Sequence, residues 1–190
     1  MEEFKSDIIN ASKVLAAGGI ILYPTDTIWG IGCDATNETA VARIYALKKR
    51  IDGKAMIVLL DSPAKLDFYV KETPDMAYEI AELSVSPTTI IYPEGKNLAA
   101  NLLADDKSIG IRITQEAFSK MLCATFRKPV VSTSANISGE PSPRLFSEIS
   151  DEIKRGVDYI VEYGQNDKTI KKASSILRIE VNNAVKIIRK

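Results

Sequence analysis

The sequence predicts an α/β domain with a mixed β-sheet, and three observations support this. Short runs of consecutive apolar residues alternate with segments of helical apolar spacing through the first two thirds of the chain. Asn182-Asn183 lies between two apolar runs and predicts a closing hairpin, because asparagine tolerates a positive φ angle. No internal repeat or low-complexity linker divides the chain, so we expect a single domain over residues 1–190.

The helices are predicted where apolar side chains recur on one helical face: residues 5–17, 38–49, 75–83 and 115–126. Gly18-Gly19 provides a stop for the first helix, and Asn37 is a favourable N-cap for the second. Ser62-Pro63 marks a further helix start, since a first turn does not need the proline N–H. The strands are predicted at residues 20–23, 55–60, 88–92, 109–113, from 130 onward, 157–162, 174–179 and 185–188.

The composition excludes several classes of chemistry. The chain has no histidine, which removes Ser-His-Asp and Cys-His catalysis and histidine-ligated zinc. Lys plus Arg and Asp plus Glu both number 25, with no polybasic arm, so generic nucleic-acid binding is not the default interpretation. Cys33 and Cys123 form no CxxC pair and are expected to be reduced, buried thiols. Any chemistry therefore rests on carboxylates, lysine, arginine, hydroxyls, backbone groups or a bound metal.

The N-terminus and the apolar runs indicate a cytoplasmic protein. Residues 1–5 are acidic where a signal peptide would be basic. The longest apolar stretch, residues 14–22, is broken by Gly18 and Gly19 and is too short to span a bilayer. We expect a protein without a membrane partner.

The first of three polar clusters follows the strand at residues 20–23. It reads Tyr23-Pro24-Thr25-Asp26-Thr27-Ile28-Trp29-Gly30-Ile31-Gly32. Gly30 and Gly32 allow the backbone to approach a ligand or another strand closely. The structural alternative is a polar turn with Trp29 packed beneath it. Asp26 either caps the turn after Pro24 or serves a site, by orienting a hydroxyl or contacting the shell of a metal.

The second cluster is Lys48-Lys49-Arg50, followed by Lys54. A solvated basic helix end is the simple interpretation, because cations favour the negative end of the helix dipole. A phosphate site requires Lys48 and Arg50 to converge, and residues two apart on a helix diverge. The chain must therefore leave the helix here, which the turn at residues 51–53 permits.

The third cluster is Pro129-Val130-Val131-Ser132-Thr133-Ser134-Ala135-Asn136-Ile137-Ser138-Gly139-Glu140-Pro141-Ser142-Pro143. Small hydroxyl residues directly after a buried strand need hydrogen-bond partners. Such a loop can present hydroxyls and N–H groups to phosphate oxygens. Alternatively, its Ser and Asn side chains satisfy the chain's own turns.

Taken together and in this order, the clusters resemble the YrdC/TsaC family of threonylcarbamoyl-AMP synthases. The matches are Tyr-Pro-Thr-Asp-Thr with the following Trp-Gly-Ile-Gly, the Lys-x-Arg of Lys48 and Arg50, Gly110-Ile111-Arg112-Ile113-Thr114, and Ser132 to Gly139. The resemblance runs from about residue 8 to residue 190. It implies a single YrdC-like domain whose twisted mixed sheet is flanked by helices and has a concave ligand-binding surface.

The resemblance implies a role for each matching residue. Lys48, Arg50, Ser134 and Asn136 match the family's catalytic tetrad around the nucleotide phosphates. The residues expected to contact L-threonine are Thr27, Leu59, Arg112, Ser132, Ser174 and Ser175. The residues expected to contact ATP are Arg50, Lys54, Ser108, Ser134, Ser142 and Arg189. Arg112 is expected to pair with the threonine carboxylate, because an arginine fork matches that group.

The sequence departs from the family pattern at three places. Ile51 stands where proline often follows the Lys-x-Arg, and Leu59 stands where some relatives have a histidine. Residues 84–89 replace a Trp-Pro-Gly-Pro motif, so that loop is expected to differ in shape. The tetrad itself is complete.

The implied activity joins L-threonine, bicarbonate or CO2, and ATP into threonylcarbamoyl-AMP and pyrophosphate. This product serves the synthesis of N6-threonylcarbamoyladenosine (t6A) in tRNA. Mg²⁺ is expected to accompany ATP, without a metal site built from protein side chains. Expected partners are the proteins that transfer the product, and direct tRNA binding stays open. The alternatives are a non-catalytic RNA-binding module, which the complete tetrad disfavours, and a carbamoyl-transfer role within a larger protein.

Overall fold

The computed structural model describes residues 3–50 and 56–190. The helices are α1 (Lys5–Ala16), α2 (Glu38–Leu47), α3 (Leu66–Tyr69), α4 (Asp75–Leu83), α5 (Ala117–Phe126) and α6 (Asp151–Gly156), with 3-10 turns at Pro63–Lys65, Ala100–Leu102 and Phe146–Glu148. The strands are β1 (Ile21–Tyr23), β2 (Gly30–Gly32), β3 (Ile57–Leu60), β4 (Thr88–Tyr92), β5 (Ile109–Ile113), β6 (Val130–Ser134), β7 (Tyr159–Ile160), β8 (Ser175–Ile179) and β9 (Val185–Arg189).

Within the described residues, the strands form one mixed sheet in the order β7-β1-β2-β6-β3-β5-β4-β8-β9. The β1–β7, β3–β5 and β4–β8 pairs are parallel and the other pairs are antiparallel. The α/β class and the mixed sheet predicted from the sequence are therefore confirmed. No helix in the described ranges is long and apolar enough to cross a membrane.

Helices pack against both faces of the sheet. On the first face, side chains of α1 and α5 form a core with those of the strands, among them Phe4, Ile8, Leu15, Phe118, Leu122, Tyr23, Leu59 and Val130. On the second face, α2 packs its buried Val41 and Ile44 in the main core with Ile31 and Val58. Because alternate strand residues share a face, Ser132 and Ser134 lie on the first face beyond Val130. That end of the first face carries the candidate site.

A crossing segment, residues 161–174, connects β7 at one edge of the sheet with β8 near the other edge. It passes over the loop that follows β1, where Lys171 Nζ donates a hydrogen bond to the Thr25 carbonyl oxygen at 3.0 Å. Gly164, at a φ of +80°, lies against Pro24 and Trp29. The segment ends at Ser174, whose hydroxyl is 2.9 Å from Thr89 Oγ1. It therefore bounds the candidate site.

The predicted element positions agree closely with the structure. Asn37 caps α2 by accepting a hydrogen bond from Ala40 N, and Ser62 caps the 3-10 turn that begins at Pro63. Asn183 adopts the expected positive φ of +64° between β8 and β9. Two elements, β2 and α6, were not predicted. The Gly-Ile-Gly sequence of β2 has low strand propensity, and its pairing with β1 and β6 overrides that propensity.

Candidate active site

The uncovered end of the first face forms a cavity of about 240 Å³. Residues of the three polar clusters line it together with the ends of β5 and β9: Thr27, Arg50, Arg112, Ser132, Ser134, Ser142, Ser174 and Arg189. Sheet register explains the arrangement, because Gly30 pairs with Ser134 and Ile57 pairs with Ser132. The cavity floor is thus strand backbone and hydroxyl groups, and arginines form its walls.

Gly30 leaves space at the base of the cavity, because it has no side chain. A Cβ atom at this position would lie 3.3 Å from Ser132 Oγ and 3.3 Å from Thr25 Cγ2. A side chain would therefore crowd the hydroxyl groups that face the cavity. Gly32 has a different role, since a Cβ there would lie 2.7 Å from the Tyr23 ring. It permits packing within the sheet and does not serve the cavity.

The turn after β1 is organised by Thr25 and not by Asp26. Thr25 Oγ1 accepts a hydrogen bond from Thr27 N at 3.0 Å and donates one to the Ile28 carbonyl at 2.7 Å. Of the two roles left open for Asp26, the structure shows a pairing of its carboxylate with Arg112. The side chain of Trp29 is buried and packs against Phe146, with the ring centroids 4.8 Å apart, as the structural alternative for this cluster predicted.

Arg112 is the most buried cation of the cavity, and its side chain is only 3% exposed. Its Nη2 lies 2.8 Å from Asp26 Oδ1 and 3.5 Å from Thr27 Oγ1. The contact with Asp26 lacks hydrogen-bond direction and acts as an ion pair, since Oδ1 has no hydrogen-bond partner in the described part of the chain. Burial raises the pKa of Asp26, which the charge of Arg112 opposes. Burial lowers the pKa of Arg112, which Asp26 opposes in turn.

Lys48 and Arg50 converge because the chain leaves the helix at Lys49, which has a φ of +50°. Lys48 Nζ donates hydrogen bonds to the carbonyl oxygens of Ser134 at 2.5 Å and Asn136 at 2.6 Å. Arg50 Nη1 donates to Thr133 Oγ1 at 3.3 Å, and the side chain lines the cavity. The turn proposed at residues 51–53, together with Ile51 and Lys54, lies outside the described residues.

Lys48 binds the backbone of the loop that follows β6, residues 134–138. Its side chain is only 2% exposed and contacts the loop backbone, and it is not among the residues that line the cavity. Burial lowers its pKa to about 8, with a smaller contribution from Arg50, so it is mainly protonated at neutral pH. Its backbone carbonyl also accepts a hydrogen bond from Ser138 N at 2.8 Å. Lys48 therefore determines the path of residues 134–138.

We expect Lys48→Met to lower the free energy of unfolding by about 2–4 kcal/mol, because two carbonyls lose their donor. Urea denaturation measures this change. The matched control is Lys49→Met, since Lys49 is exposed and its partner Glu152 is also at the surface. Equal stability of the two variants would contradict the role assigned to Lys48.

Asn136 also stabilises the loop. Its Nδ2 donates hydrogen bonds to the carbonyl oxygens of Ile137 at 2.9 Å and Glu140 at 2.7 Å. Its side chain is not part of the cavity wall, whereas Ser132, Ser134 and Ser142 are. The two interpretations of this cluster therefore apply to different residues. Asn136 donates hydrogen bonds to carbonyl oxygens of the loop, and the three serines line the cavity.

The far wall of the cavity joins β8, β9 and β4. Arg189 donates two hydrogen bonds to the Ser174 carbonyl, from Nε at 3.0 Å and from Nη2 at 2.7 Å. Ser174 Oγ contacts Thr89, which also lines the cavity. Thr89 was not predicted as a site residue, although β4 places it beside Arg112. Ser175 pairs with Thr88 and is not among the lining residues.

Two further predicted site residues lie elsewhere. Leu59 shares the first face with Arg112 but is fully buried beneath α5, in a core with Phe118 and Cys123. Ser108 is buried at the start of β5, where its N–H donates to Asp106 Oδ1 at 3.0 Å. Neither lines the cavity. The side chain of Leu59 is therefore closed off from solvent.

The fold and site define an α/β protein with a cavity whose charge and hydroxyl groups suit small anionic molecules. Arg50, Arg112 and Arg189 converge on a single cavity with four serine hydroxyls. Arginine forks and hydroxyl donors match carboxylates and phosphates in geometry and charge. The described residues contain no group of three or more Asp, Glu or Cys that could hold a metal ion.

The chain belongs to the Sua5/YciO/YrdC family, whose model, described as "Telomere recombination", matches residues 13–190. A curated relative from Pseudoalteromonas translucida, named threonylcarbamoyl-AMP synthase, is 34% identical over 161 residues. This match covers 83% of the chain and 86% of the relative. Other curated relatives of the same name are 32–37% identical.

Solved structures show the same fold. P. abyssi Sua5 complexed with L-threonine superimposes with a TM-score of 0.82 at 23% identity, and the match covers 92% of this chain and 51% of that chain. E. coli YciO superimposes with a TM-score of 0.81 at 23% identity, covering 97% of this chain and 89% of that chain. The chain thus spans about half of the Sua5 chain and most of the YciO chain.

Proposed function

We propose that this protein is an L-threonylcarbamoyladenylate synthase, a nucleotidyltransferase that uses L-threonine, bicarbonate or CO2, and ATP. The observation that carries the proposal is the convergence of three arginines and four serines on one cavity. The names of the curated relatives support it. The product would serve t6A synthesis in tRNA.

The amino-acid end of the cavity is assigned to Arg112 and its neighbours. The guanidinium of Arg112 is buried and retains an Nε donor without a hydrogen-bond partner in the described residues. A threonine carboxylate in the cavity would compensate the buried charge of Arg112. Thr27, Ser132 and Ser174 offer hydroxyl groups around the same position.

The nucleotide end is assigned to Arg50, Ser134, Ser142 and Arg189. Arg50 follows the last turn of α2 and reaches the hydroxyl-rich β6, where developing phosphate charge would be neutralised. Lys48 and Asn136 would act indirectly, through the shape of the loop. Mg²⁺ would enter as the complex with ATP, because no carboxylate of the described residues lines the cavity.

The reaction needs little acid–base chemistry from the protein. The threonine amine adds to CO2 and gives a carbamate and a proton. A carbamate oxygen then forms a bond with the α-phosphorus of ATP, as the bond to the β-phosphate oxygen breaks and pyrophosphate leaves. The carbamate is already an oxygen nucleophile, so positioning and charge neutralisation supply the catalysis. This is compatible with a chain that has no histidine.

Pyrophosphate release tests the proposal. Purified protein with ATP, Mg²⁺ and bicarbonate is expected to release pyrophosphate only when L-threonine is added, and release should fall when bicarbonate is removed. Release that is independent of threonine would contradict the proposed function. A folded protein that releases none but binds RNA would favour the non-catalytic RNA-binding alternative.

A further inference from the structure

Asp26 contacts Arg112 from outside the candidate site. Arg112 lines the site cavity, and Asp26 lines a separate cavity of about 210 Å³ whose walls include Glu116, Ile113 and Val85. The Asp26 side chain is 10% exposed and reaches Arg112 Nη2 at 2.8 Å. The guanidinium therefore lies between the carboxylate of Asp26 on one side and the site cavity on the other.

Arg112 needs a counter-charge when the site is empty. An unpaired buried cation is costly, and the charge of Arg189 adds to that cost, since it lowers the pKa of Arg112. The contact with Thr27 is long, at 3.5 Å, and carries no charge. Asp26 is the carboxylate that pairs with Arg112 in the described residues. It is therefore the group that fixes the guanidinium.

We propose that Asp26 is a positioning residue that holds the guanidinium of Arg112 in place for the carboxylate of the amino-acid substrate. This rests on the proposed function, in which Arg112 binds that carboxylate. Asp26 pairs with Nη2, and Nε has no hydrogen-bond partner in the described residues. Competition between Asp26 and the substrate is disfavoured by geometry, because Asp26 does not line the site cavity.

Ligand discrimination tests this proposal. L-Threoninamide matches L-threonine but lacks the carboxylate, so the ratio of the two dissociation constants reports the contact with Arg112. In Asp26→Asn, we expect calorimetry to show L-threonine binding weakened by about 10-fold or more, by analogy with the loss of supporting partners at metal sites. Binding of threoninamide should change by less than about 2-fold. The KM for threonine should rise, and kcat at saturating threonine should fall by less than about 3-fold.

Two further variants keep the test decisive if Asp26→Asn folds poorly. Asp26→Glu retains the charge and moves it by one methylene. The preference for L-threonine over L-threoninamide should therefore fall less than in Asp26→Asn. In an Arg112→Gln background, Asp26→Asn should cause no further loss of threonine affinity. Equal effects on threonine and threoninamide, tighter threonine binding, or additive effects with Arg112→Gln would overturn the proposal. The binding measurement does not require turnover. Threonine binding without pyrophosphate release would therefore contradict the proposed synthase activity and would leave the role of Asp26 standing.

Discussion

Arg50→Ala is expected to lower the rate of threonine-dependent pyrophosphate release by roughly 100-fold or more, while the protein stays folded. A lost charged contact to a reacting phosphate costs about 2–4 kcal/mol in the transition state. Arg50 lines the cavity with Ser134 and donates a hydrogen bond to the Thr133 hydroxyl group on β6. Steady-state pyrophosphate release and urea denaturation together measure the two parts of this prediction.

The matched control is Arg155→Ala, since Arg155 is an exposed arginine at the end of α6. Its activity and stability should equal those of the unmodified protein. Arg50→Lys should retain part of the rate, because it keeps the charge and loses the fork. Normal turnover in Arg50→Ala would remove Arg50 from the proposed mechanism.

Arg112→Gln is expected to raise the KM for L-threonine by roughly 100-fold and to leave the KM for ATP nearly unchanged. The substitution removes the fork that would bind the threonine carboxylate, and such charged hydrogen bonds contribute about 1.5–3 kcal/mol each. It also leaves Asp26 without its cation, so the free energy of unfolding should fall by about 3 kcal/mol or more.

Separate titrations of threonine and ATP, with urea denaturation alongside, distinguish the two effects of Arg112→Gln. Arg112→Lys serves as the comparison, since it restores the charge beside Asp26 and still lacks the fork. It should recover stability more than threonine affinity. An equal rise in the KM of both substrates would contradict the assignment of Arg112 to the amino-acid end of the cavity.

Local sequence signals were sufficient to predict most of the fold. Asn37, Ser62 and Asn183 have the cap and turn roles expected of them, because these roles depend on a few neighbouring residues. The strand β2 was not predicted, because glycine is not typical of strands. Its two glycines are explained by tertiary contacts, with the Tyr23 ring at Gly32 and with the cavity hydroxyl groups at Gly30. Only the pairing of β2 with β1 and β6 reveals it as a strand.

For the candidate site, the sequence predicted which residue types take part better than it predicted where their side chains lie. Motif matching identified residues that line the cavity, such as Arg50, Arg112 and Ser134, but it missed Thr89 and could not determine which way each side chain points. Lys48 and Asn136 bond the loop backbone, and Leu59 is covered by α5. The ion pair of Asp26 with Arg112 joins residues 86 positions apart, so it depends on tertiary structure that no local pattern reports.

The most direct test of the synthase is the identity of its product. Protein incubated with ATP, Mg²⁺, L-threonine and isotopically labelled bicarbonate should yield an adenylate, detected by mass spectrometry, that contains threonine and the labelled carbon. The label must disappear from the product of a reaction given unlabelled bicarbonate. An adenylate that contains threonine without the labelled carbon, or ATP consumption without any such adduct, would contradict the account.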